Sequence, residues 1–126
     1  MGAQILVIED DADLRTEMLD FLTRRLNTVR ACETLAEAEE LLLQMRPDIV
    51  MSDINLPDGD GASFCIAHSG NHRQAKWLLM SGNQELVRHG NMLKSVAETP
   101  PFAVLDKPVP LRLLDKFIRS WMERER

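Results

Sequence analysis

The run IVMSD, residues 49 to 53, ends on a carboxylate and breaks at once into the turn-rich INLPDGDG. Three other apolar runs end in the same way. ILVIE, residues 5 to 9, closes on Glu9 and is followed by Asp10; KWLLMS, residues 76 to 81, closes on the hydroxyl of Ser81; AVLD, residues 103 to 106, is followed by Lys107 and Pro108. If these runs lie side by side as parallel strands, Glu9, Asp10, Asp53, Ser81 and Lys107 converge at one edge of a sheet. Carboxylates crowded together repel one another, and a divalent cation with oxygen ligands relieves the repulsion. Mg²⁺ suits such a site, because it binds through one or two carboxylates and keeps other positions for water and a phosphate oxygen. That chemistry makes Asp53 a candidate nucleophile toward a phosphoryl group, with Lys107 as a point charge and Ser81 as a hydroxyl donor for the phosphoryl oxygens.

Convergence requires a particular set of elements. QILVIE, residues 4 to 9, is too short and too β-branched for a helix and suits a strand buried on both faces. Leu14, Met18, Phe21, Leu22 and Leu26 then recur at helical spacing, with Arg15, Glu17, Arg24 and Arg25 on the other side and Asp11 or Asp13 available as N-cap. TVRAC, residues 28 to 32, is a weaker strand candidate. Thr34 and Glu37 form a capping-box pattern ahead of Leu35, Ala38, Leu42 and Met45, so a second helix follows and ends before Pro47. After the 49 to 53 strand, ASFCIAHS reads as a short helix stopped by Gly70 and Asn71, and KWLLMS as a strand. A helix over 84 to 97, entered through Asn83 and weakened by Gly90, precedes Pro100 and Pro101. The strand FAVLD and the helix LRLLDKFIRSWM complete the chain. Alternating strands and helices predict an α/β fold: a doubly wound five-stranded parallel sheet with helices on both faces.

A chain of 126 residues with 44% apolar content is the size of one domain, residues 1 to 126. No stretch has the length of a membrane span, and the start lacks the pattern of a secretion signal, so a cytoplasmic location is expected. Cys32 and Cys65 fit free thiols in a reducing compartment better than a disulfide framework. The net charge of -5 is unevenly spread: residues 1 to 60 carry 14 acids and 5 bases, residues 61 to 126 carry 6 acids and 10 bases. The acidic half holds most of the strand-end acids, which favours a cation over direct nucleic-acid contact, and no basic stripe with interleaved aromatics is present.

Taken together, VIEDD, MSDINLPDGDG, LLMSG and LDKP resemble the receiver domain of two-component response regulators over essentially the whole chain. The resemblance implies a flavodoxin-like fold with strand order 2-1-3-4-5 and five helices. It also implies transfer of a phosphoryl group to Asp53, with Mg²⁺, from the phosphohistidine of a histidine kinase or phosphotransfer protein. By position, Glu9 and Asp10 match the acidic pair, and Asn55 matches the residue whose backbone carbonyl ligates the metal. Ser81 matches the switch hydroxyl, and Lys107 with Pro108 matches a Lys-Pro pair in which a cis peptide is usual. One position departs from the pattern, and by the resemblance two others modulate it. Three residues before the lysine the family commonly has Tyr or Phe, whereas this chain has Val104, which cannot make the same inward swing. Asn55 and Asn83 occupy the positions that flank the phosphoryl group and tune its hydrolysis.

Simpler readings compete at several places. Asp58 and Asp60 suit the geometry of a turn, and His68, His72 and His89 read as surface residues rather than metal ligands. In the closing helix, Leu111, Leu114, Ile118 and Trp121 form one stripe, widened by Leu113 and Phe117; part of it, with Val104 and the 84 to 97 helix, is a candidate patch for an output domain or a homodimer mate. Two other functions fit parts of the pattern. A degenerate receiver would keep the fold and bind a partner constitutively. A phosphohydrolase of the haloacid dehalogenase type would need a second acid two residues after its nucleophile, where this chain has Asn55, and usually a cap domain.

Overall fold

The computed structural model describes residues 2–82 and 102–124. The expected 84 to 97 helix lies outside them, with Asn83, His89, Pro100 and Pro101. The described elements are β1 (Gln4–Ile8), α1 (Ala12–Arg24), β2 (Thr28–Cys32), α2 (Leu35–Gln44), β3 (Ile49–Asp53), a small hairpin of β4 (Asn55–Leu56) and β5 (Gly59–Asp60), α3 (Gly61–Ser69), β6 (Lys76–Ser81), β7 (Phe102–Asp106) and α4 (Leu111–Arg124). The five long strands form one parallel sheet in the order β2-β1-β3-β6-β7. This is the expected 2-1-3-4-5 arrangement once the hairpin is set aside. Four helices are described around it.

Burial on both faces explains why the central strands read as unbroken apolar runs. Along β1, Ile5 and Val7 point into a layer with Met18, Leu22, Leu114 and Ile118 of α1 and α4, while Leu6 and Ile8 point into the opposite layer with Ala38, Leu42, Phe64 and Cys65 of α2 and α3. β3 and β6 alternate likewise, Met51 and Met80 facing the first layer and Val50, Trp77 and Leu79 the second. β2, at the edge of the sheet, keeps Thr28 and Arg30 exposed, which is why TVRAC carries a weaker signal.

Local signals set the helix ends. Asp11 caps α1 by accepting a hydrogen bond from the Leu14 amide at 3.1 Å. At the other end Leu26 takes a left-handed conformation, φ 67°, which reverses the chain into β2. Gly2 packs against that turn so closely that a Cβ there would strike the Leu26 carbonyl. Thr34 caps α2 as its pattern predicts, accepting from the Glu37 amide at 3.2 Å while its hydroxyl donates to the Glu37 carboxylate at 3.1 Å. α3 ends at Ser69, with Gly70 as its C-cap in the right-handed region at φ −64°, so the helix stops where the sequence suggested.

Packing corrects one expectation and shows which flank of the closing helix is exposed. His68 and His72 are half-buried rather than simply on the surface, His68 against the Phe64 ring at 4.2 Å and His72 edge-on to Trp77 at 6.5 Å. Burial, then His68 and Arg46 nearby, holds the His72 pKa below its ordinary value. In α4, Leu114 and Ile118 are buried, while Leu113 remains 46% and Phe117 36% exposed, Phe117 stacked on Trp121 at 5.7 Å. One flank of the closing helix is therefore an exposed apolar strip. Among the described residues no helix is long and apolar enough to cross a membrane.

Candidate functional site

Strand order reverses between β1 and β3, since their crossovers pass to opposite sides, and the carboxyl ends of these two strands frame a crevice. Glu9 follows β1 directly, Asp10 begins the loop to α1, and Asp53 is the last residue of β3. Their carboxylates each place an oxygen within 4.8 Å of the others, and they are the one such acidic, thiol or imidazole group among the described residues. Glu9 and Asp53 are buried, whereas Asp10 is exposed.

Lys107, just past β7, completes the cluster. Its ammonium donates to Glu9 Oε1 and to Asp53 Oδ2, both at 2.9 Å, so one cation is shared by two carboxylates separated from it by 98 and 54 residues. The lysine is held in place by its amide, which donates to the Ser81 carbonyl at 2.8 Å; the peptide between Lys107 and Pro108 is cis. Burial pulls the ammonium toward losing its proton, but the hydrogen bonds to Asp53 and Glu9 outweigh that and raise its pKa. Glu9 shows the opposite balance. Burial, with the Asp53 charge adding to it, outweighs the Lys107 hydrogen bond and pushes its carboxyl up to about 7.

Asp53 is positioned by its backbone. The Ser52 hydroxyl donates to the Asp53 carbonyl at 2.9 Å, the Ile54 amide donates to the Met80 carbonyl at 3.3 Å, and the Gly61 amide donates to the Ile54 carbonyl at 2.8 Å. A Cβ at Gly61 would collide with the Asp53 carbonyl, so only glycine lets α3 start this close behind the acid. Asn55, exposed, opens the small hairpin two residues beyond Asp53. Ser81 ends β6, the strand beside β3; it is fully buried, and its Oγ has no hydrogen-bond partner among the described residues.

The structure therefore brings Glu9, Asp10, Asp53 and Lys107 into direct proximity, with Ser81 at the adjacent strand end. The oxygen-only, strongly anionic donor set fits a hard divalent cation such as Mg²⁺. Sequence reading missed two side chains. Arg15, assigned by its spacing to the outer face of α1, folds back so that its guanidinium donates to the Glu9 carbonyl at 2.9 Å. Asp58, read as a turn residue, reaches across to accept from the Leu35 and Ala36 amides at the start of α2, at 2.9 and 3.0 Å. Those amides hold its carboxyl below the usual range. Asp60 serves its own turn, capping α3 through the Ala62 amide.

The model of the response regulator receiver domain family matches residues 5–119. The chain belongs to that family. Among curated relatives, this receiver domain is 32% identical to the transcriptional regulatory protein AfsQ1 of Streptomyces coelicolor over 95% of its own length and 51% of that protein. It is 28% identical to KdpE of Staphylococcus aureus over 98% and 54%. The receiver domain thus spans about half the length of these relatives. Among solved structures it superposes on the BeF3-activated receiver domain of nitrogen regulatory protein C with a TM-score of 0.82, covering 100% of this chain and 98% of that one at 20% identity. For the chemotaxis response regulator CheY4 of Vibrio cholerae the TM-score is 0.79, with 96% and 99% covered at 21% identity. These likenesses establish the flavodoxin-like receiver fold.

Proposed function

We propose that this receiver domain, residues 1 to 126, accepts a phosphoryl group on the Asp53 carboxylate from the phosphohistidine of a histidine kinase or phosphotransfer protein, and that the modified form controls an output domain or partner. The observation that carries the reading is the sharing of the Lys107 ammonium between Glu9 and Asp53 beside an open Asp10. One Asp53 oxygen attacks phosphorus, the new O–P bond forms as the N–P bond breaks, and the imidazole nitrogen leaves with the bonding pair. Lys107, already at the carboxylate, stays as the fixed positive charge beside the transferred group. The Ser81 hydroxyl, buried and free of other partners among the described residues, donates to a phosphoryl oxygen. Asp10, Asp53, the Asn55 carbonyl and Glu9, directly or through water, would hold Mg²⁺, which supplies neutralisation of the negative charge on the phosphoryl oxygens.

Phosphorylation shifts the population of two conformations, and the output surface includes the exposed strip of α4 with β7, facing an output domain or a second copy; the 84 to 97 helix expected beside it lies outside the described residues. Val104 is half-buried on β7, so the change there does not use an aromatic ring. Incubation with Mg²⁺ and acetyl phosphate, read by intact mass, tests the capture step. One added phosphoryl group, absent from Asp53→Ala and from samples without Mg²⁺, is the expected result. Absence of any adduct points to a constitutive binding module, and rapid multiple turnover of phosphoesters points to a phosphohydrolase.

A further inference from the structure

The acidic loop is gripped from outside by a residue that takes no part in the capture chemistry described above. Arg15 Nη1 donates to the Glu9 carbonyl at 2.9 Å and lies 3.5 Å from the Asp10 carbonyl, while the same nitrogen is 3.8 Å from Glu33 Oε2. The Glu9 amide is held from the β2 side by the Cys32 carbonyl at 3.0 Å, and Glu9 Oε2 accepts from the Asp11 amide at 3.3 Å. Glu9 is thus tied at its amide, its carbonyl and both carboxylate oxygens. Asp10, next in the chain, has an exposed carboxylate, and its backbone contact to Arg15 is the longer one.

We propose that Arg15 is a positioning residue for the cation site: by holding the carbonyls of Glu9 and Asp10 with one guanidinium, it sets the direction in which the Asp10 carboxylate is presented. This rests on the Mg²⁺ reading of the site given above. Two physical effects of Arg15 oppose each other. Its positive charge beside an acidic site repels a divalent cation, whereas its hydrogen bonds orient the ligands that attract one. Glu33 offsets part of the charge, and the side chain is 23% exposed, which adds solvent screening; the orienting effect therefore dominates. One guanidinium nitrogen meets both carbonyls, and the rigid planar group fixes where that nitrogen lies, whereas a lysine ammonium ends on a flexible stem.

The opposed signs make the test decisive. Mg²⁺ is titrated calorimetrically into the full chain, at a temperature where circular dichroism shows every variant folded, for the wild type, Arg15→Ala, Arg15→Lys and Asp10→Asn. Arg15→Ala is expected to weaken Mg²⁺ binding about 10-fold, the loss typical when a side chain that orients a ligand is removed. Arg15→Lys is expected to recover part of that loss, and the Mg²⁺ concentration for half-maximal adduct formation from acetyl phosphate should shift by the same factor as the Kd. Binding by Arg15→Ala that equals or exceeds the wild type overturns the proposal, because removal of a repulsive charge would then be the whole effect. If Arg15→Ala does not fold, a wild-type affinity in Arg15→Lys overturns it equally. A wild type that binds no Mg²⁺, or Asp10→Asn binding as tightly as wild type, removes the cation reading and the Arg15 role together.

Discussion

The two ends of the parallel sheet treat their polar groups in opposite ways. At the end where the strands begin, groups are matched locally. Buried Asn27 accepts from the Ala3 amide and donates to the Leu22 carbonyl, both at 2.9 Å. Asp48 ties three strands, since its carboxylate accepts from the Gln4 amide, its amide donates to the Gln4 carbonyl and its carbonyl accepts from the Lys76 amide. The exception is Trp77, whose indole N–H has no partner among the described residues and whose ring fills the core as apolar bulk. At the other end, three carboxylates crowd together and two of them share one ammonium, and the Ser81 hydroxyl is buried without a partner among the described residues. Apart from Trp77, the polar groups named at the first end are satisfied within the fold, whereas the second end keeps charge and a hydroxyl in excess.

The largest expected effect comes from Glu9, where the excess charge is most deeply buried. Its native pKa of about 7 lies above the ordinary 4.5, so the folded state holds the proton more tightly than the unfolded one. Stability from this group is then fully present below about pH 4.5 and lost as pH rises toward 7. In Mg²⁺-free buffer, urea melts of wild type and Glu9→Gln should agree near pH 4 and separate by on the order of 3 kcal/mol at pH 8, glutamine being the more stable. A gap that does not change with pH would mean that the carboxylate excess is not strained.

Asn27→Ala probes the matched end. Losing a buried side chain that bonds two backbone groups should cost about 2 kcal/mol in the same melts, while phosphoryl capture from acetyl phosphate is retained. A smaller effect on stability is expected at Ser81, and with the opposite sign. Removing a buried hydroxyl without a partner should leave Ser81→Ala as stable as wild type or up to about 1 kcal/mol more so. Adduct formation should nevertheless slow about 10-fold, the worth of one hydrogen bond to a charged group. If Ser81→Ala destabilises as Asn27→Ala does, the two ends are alike and the contrast fails.

Much of this was legible in the sequence because it is written in short-range patterns. Strand runs buried on both faces, the Thr34 and Glu37 capping box and the Asp11 cap depend on neighbours within a few residues. The strand-end positions of Glu9, Asp10, Asp53, Ser81 and Lys107 follow from where each run stops. What the sequence could not supply was contact between segments distant along the chain. Asp58 looked like a turn residue because its partners, the first amides of α2, lie 22 and 23 residues away. Arg15 looked like an outward charge because helical spacing gives the direction of a Cβ, and a long side chain can fold back over the end of its own helix. By itself the sequence determined which residue types stand at the strand ends and the order of the elements. The tertiary structure decided that one lysine serves two acids, that Ser81 is buried without a partner among the described residues, and that Asp58 and Arg15 brace the loops, because those are distances across a sheet and no periodicity along a chain records them.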